Sequence, residues 1–152
     1  MRHARIDTCM SGIVVPICQY AVYNHSFLAP AATEEVILAD RVPAAPFAKI
    51  GGSLRVHKRN ISAGGSYQII IRGTNPSKDD GADFVWATDL GSTLATGATT
   101  NPSTVPGLMQ LSTIISDLQH PMLRVVLKAT GPTATGSLYI VVSFDLIMRM
   151  SG

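Results

Sequence analysis

Valine, isoleucine and threonine make up 38 of the 152 residues, and they gather in short runs cut by glycine, proline and asparagine. Two substituents on Cβ restrict χ1 and suit a side chain to the pleated surface of a sheet. Between the runs stand Gly51-Gly52, Gly64-Gly65, Asn75-Pro76, Asp80-Gly81, Asn101-Pro102 and Gly131-Pro132, all turn-forming pairs. Strands are expected near residues 13–18, 35–39, 47–50, 53–59, 67–73, 84–89, 123–129 and 138–148. Short strands at this spacing predict an all-β chain: an antiparallel β-sandwich, jelly-roll-like, with at most one short helix. The helix candidate is 108–119. There Leu108, Leu111, Ile115 and Leu118 follow a helical period, yet Met109, Leu111, Thr113 and Ile115 alternate as a strand does.

Alternation assigns faces. Within 53–59, Leu54 and Val56 fall on one side and Arg55, His57 and Arg59 on the other. The run Ile69-Ile70-Ile71 suits a strand covered on both faces. The stretch from Leu138 to Met148 is also apolar on both faces, which calls for a partner beyond the core. The expected subunit interface combines Ile13, Val14, Val15, Ile17 and Tyr20 with Tyr139, Val141, Leu146 and Met148. Residues 1–25 read as an extended N-terminal arm, ordered on a neighbour by strand addition, and 26–152 as a single sandwich domain.

Charge is scarce. Twelve Lys and Arg oppose ten Asp and Glu, so 14% of residues are charged, against about 25% in an average soluble domain. With 46% hydrophobic residues and a mean hydropathy of +0.25, intrinsic disorder is excluded. A net charge of +2 excludes an electrostatic nucleic-acid binder, and no apolar run is long enough to span a membrane. The opening Met-Arg-His-Ala-Arg is followed by Asp7 and a run broken at Pro16, so no cleaved signal is expected. The uncharged stretch 91–106 reads as a long loop suited to an interface. The densest basic group is Arg55, His57, Lys58 and Arg59. It reads either as a docking surface for an acidic partner or as a solvated strand face, with too few aromatics nearby for specific single-strand binding.

Catalytic constellations are missing from the pattern. There is no Gly-x-Ser-x-Gly elbow and no phosphate-binding glycine loop, and His3, His25, His57 and His120 form no metal-ligating pair. Asp117 and His120 would meet across one helical turn, the one acid–base pair in reach. No enzyme activity and no cofactor are expected. Asp79, Asp80 and Asp83 are the sole metal candidates, the start of a calcium shell or else a solvated hairpin tip. Cys9 and Cys18 read as reduced thiols or a small disulfide loop. Trp86, Tyr67 and Tyr139 suit either a sugar-binding platform or the core.

Residues 123–131, Leu-Arg-Val-Val-Leu-Lys-Ala-Thr-Gly, followed by 138–149, resemble the closing hairpin of small tailed-bacteriophage structural proteins. Residues 67–89, with their Asn-Pro and Asp-Asp-Gly turns, are similar. The resemblance implies a capsid decoration or cement protein, or a head or tail accessory. It further implies a homo-oligomer, a trimer in the favoured case, bound to a major capsid or other virion protein. Its place would be the virion, assembled in the host cytoplasm. The alternatives are a small jelly-roll capsid shell protein and a carbohydrate- or receptor-binding accessory module.

Overall fold

The computed structural model describes residues 12–74, 88–92, 106–115, 118 and 120–150. Within them the chain forms β1 (Gly12–Phe27), β2 (Thr33–Pro43), β3 (Lys49–Ile61), β4 (Ser66–Thr74), β5 (Thr88–Ser92), β6 (Gly107–Ile115), β7 (Met122–Thr130) and β8 (Gly136–Arg149). One antiparallel sheet runs β1-β8-β3-β6 and the other β2-β7-β4-β5. First pairs with last, second with seventh, third with sixth and fourth with fifth. That nesting is a long hairpin rolled into two facing sheets, the eight-stranded jelly roll.

The period of two along each strand places the core. Leu138, Ile140, Val142, Phe144, Leu146 and Met148 of β8 all turn inward and are essentially buried. They meet Leu123, Val125, Leu127 and Ala129 of β7 and Tyr67, Ile69 and Ile71 of β4. Each large apolar side chain enclosed this way contributes about 1.5–3 kcal/mol relative to exposure. Leu146 and Met148 are therefore core residues and not interface residues, because they share the face of Phe144. Tyr67 is likewise enclosed, which removes it from any sugar platform.

Several local expectations change. Residues 108–115 belong to a strand: β6 pairs with β3, Met109 packs against the core and Leu108 faces out. No helix occurs among the described residues. Gly51 and Gly52 lie inside β3, opposite Ile147 and Leu146, so the two strands expected at 47–50 and 53–59 are one. Gly64, at φ 86°, does make the expected β3–β4 turn. Residues 12–25, read as part of an arm, run within β1 and pair with β8 of the same chain; Tyr23 and Phe27 carry the strand into the core. Pro16 is tolerated because β1 is an edge strand.

Four register slips interrupt the first sheet, and two of them meet on β8. β1 slips against β8 between Cys18 and Ala21, and β3 slips against β8 between Val56 and Lys58. Each inserts residues that face no partner and redirects side chains beyond it.

Candidate functional site on the outer face of the first sheet

Both slips flank one residue. Ser143 of β8 pairs with Arg55 of β3, and its neighbours Val142 and Phe144 bracket the extra residues of β1. The slip in β1 holds Tyr20 at φ 51°, a conformation that costs a bulky residue about 1–3 kcal/mol. There the Tyr20 amide donates to Ser143 Oγ at 3.0 Å. From the other side His57 Nε2 lies 2.8 Å from the same oxygen. The Tyr20 and His57 rings then stack at 4.2 Å between centroids, so two side chains from β1 and β3 meet over β8. Ser143 beneath them is 8% exposed.

Around this stack lies a cleft of about 140 Å³, lined by Gln19, Tyr20, Ser53, Arg55, His57, Leu108, Ser143 and Asp145. Gln19 Nε2 donates to Asp145 Oδ1 at 3.2 Å, which fixes the carboxylate at the cleft wall. Chemically the cleft offers a cation, a carboxylate, an amide, hydroxyls and an open phenol ring. Asp145 is engaged by Gln19 and not by His57, so the His57–Ser143 pair lacks a carboxylate to orient its imidazole.

The expected basic group is divided. Arg55 and Lys58 stand exposed on this face and His57 is half-buried. Arg59 follows the slip to the opposite side: it pairs with Ile140 and hydrogen-bonds Tyr67, whose hydroxyl burial nonetheless pushes above its usual range. Of the expected interface residues, Ile13, Val14 and Tyr20 are exposed, with Val14 62% and Tyr20 65% accessible. Val15 and Ile17 pack against the core, Tyr139 is half-buried, and Val141 is covered. Val22 is 64% accessible and joins the exposed apolar residues of β1.

Cys18 carries a free thiol directed at the Val142 carbonyl, 4.0 Å away, and burial pushes its pKa up. Asp79, Asp80, Asp83, Trp86, Asp117 and Cys9 lie outside the described residues, as does most of 91–106. Among the described residues no cluster of three or more His, Cys, Asp or Glu could hold a metal ion. Sequence reasoning missed Gln19, Ser143 and Asp145. The signal was present: Ser143 and Asp145 are the polar interruptions of an otherwise apolar run.

No family model and no curated protein matches the sequence. Solved structures do match in fold. A structure of the infectious bursal disease virus VP2 subviral particle has a TM-score of 0.57 and 14% identity, covering 100% of this chain and 38% of that one. The chain is therefore similar in fold to that viral particle protein. The Gx strain structure of the same virus has a TM-score of 0.56 at 14% identity, over 93% of this chain and 32% of its own. The Gt strain structure has 0.53 at 12%, over 100% and 37%. The chain thus spans about a third of the length of the virus structures it matches. Identity this low establishes shared architecture alone. The tailed-bacteriophage link expected from the closing strands finds no support among these structures, all three of which come from infectious bursal disease virus.

Proposed function

We propose that this chain is a noncatalytic structural component of a virion that self-associates within or upon a capsid. The observation that carries the reading is the nested jelly roll, shared with capsid structures over the whole chain at a TM-score of 0.57. The low charge and the exposed Ile13, Val14 and Val22 of β1 add to it, since an apolar edge strand is a ready surface for a second copy. Likeness to a chain that makes a subviral particle favours the small shell protein over the decoration or cement role expected from the closing strands.

Light scattering and electron microscopy of the purified full chain test this. Closed particles support the shell role, while discrete trimers or rings that bind preformed shells support decoration. A monodisperse monomer that binds no capsid protein overturns both.

A further inference from the structure

We propose that the cleft over Ser143 binds a carboxylate-bearing sugar, with Arg55 taking the carboxylate, Tyr20 the ring face, and Asp145 and Gln19 the hydroxyls.

Three features of the cleft point the same way. First, it is built rather than incidental. Two strand slips, one on each side of β8, bring Tyr20 and His57 together over a buried hydroxyl, and Tyr20 is held in the left-handed region to do so. Strain and bulges of this kind concentrate at binding sites. Second, the charges are left for a ligand. Arg55 is exposed and makes no ion pair or hydrogen bond among the described residues, although Asp145 lines the same cleft. A guanidinium is a fork suited to a carboxylate. Third, the Tyr20 ring is stacked on one side by His57 yet remains 65% accessible, so its other face is open to the C–H face of a sugar.

The combination selects among anions. Inorganic phosphate would satisfy Arg55 but has no apolar face for the Tyr20 ring. A sugar acid carries hydroxyl donors for Asp145, acceptors for Gln19 and an apolar ring face for Tyr20. A cleft of about 140 Å³ suits a ligand of one ring better than an oligosaccharide.

Nuclear magnetic resonance titration of the full chain with glucuronate, glucose, acetate and inorganic phosphate tests the assignment. Glucuronate is expected to saturate shifts at Tyr20 and His57 with a Kd on the order of 1 mM, and to bind at least about tenfold more tightly than the other three. Arg55→Gln is expected to weaken glucuronate by about tenfold, and Lys58→Gln on the same face by less than about twofold. Equal binding of glucose, acetate or phosphate overturns the proposal, as does an unchanged affinity in Arg55→Gln or no saturation at tens of millimolar. Should Arg55→Gln fail to fold, the wild-type selectivity among the four probes is decisive by itself.

Discussion

Arg72 of β4 grips both carboxylate oxygens of Glu35 of β2, at 2.7 and 2.8 Å, although the two strands are not neighbours. β7 runs between them. Its Val126 faces Ile37 on one side and Ile70 on the other, each two residues from a member of the ion pair. The clasp therefore passes over Val126, which is 0% exposed although it sits on the outer face of its sheet. The stacked Tyr20 and His57 rings bridge β8 over Ser143 in the same way. Each sheet thus has one inner strand covered by a contact between the two strands that flank it.

The clasp should act more as a lid than as an ion pair. Exposed pairs contribute about 0–1 kcal/mol, whereas an arginine stem lying on apolar surface contributes packing as well. Arg72→Ala is expected to lower stability by about 1–2 kcal/mol, and Glu35→Gln by less than about 1 kcal/mol. Arg72→Met, which retains a covering stem, should fall between them. Midpoints of urea unfolding at constant slope measure the order; a Glu35 variant as costly as Arg72→Ala would contradict the lid.

Acid should weaken the second sheet first. Hydrogen bonds from Arg72 and Arg124 hold the carboxyls of Glu35 and Asp40 below their ordinary values of 4.5 and 3.8. A folded pKa below the unfolded one gives stability that is present above the unfolded value and is lost as pH falls through the folded one. Melting temperature is expected to hold from neutrality down to about pH 5 and then decline. The Glu35→Gln, Asp40→Asn double variant should start lower and decline less steeply. Because both carboxylates are partly solvated, the difference is modest.

Core and assembly surfaces separate by mutation. Leu146→Ala and Met148→Ala are each expected to cost about 2–5 kcal/mol by opening a cavity behind Phe144. Val14→Ser and Val22→Ser should change monomer stability by less than about 0.5 kcal/mol and reduce self-association. Thermal melts paired with sedimentation velocity read both effects.

Cys18 should resist alkylation. Its raised pKa leaves little thiolate near neutral pH, and its half-buried position limits access. Iodoacetamide at pH 8 is expected to modify Cys18 more slowly than it modifies a free cysteine peptide, with the rates converging in denaturant. Equal rates in the native state would show an exposed thiol.

Much of the architecture is legible in the amino acids. The β-branched runs mark strands, Gly64-Gly65 and Gly131-Pro132 mark connections between them, and the alternation of Leu54 with Val56 gives a correct inner face. Other signals mislead locally. Gly51-Gly52 looks like a turn but continues a strand, because paired strands on both sides hold the backbone extended. Residues 21–25 pass for part of an arm because their partners in β8 lie more than a hundred positions away.

What sequence alone determines here is the all-β class, a charge-poor surface and the existence of an apolar last strand. Those follow from side-chain chemistry and a period of two, which are local. Tertiary structure decides the pairing of first with last and second with seventh, and with it the residues that face one another. It alone places Leu146 and Met148 inside, sends Arg59 away from Arg55, and gathers Gln19, Tyr20, His57, Ser143 and Asp145 around one cleft. The physical reason is that a single-residue slip inverts every face beyond it, and whether a strand slips depends on the partner that holds it.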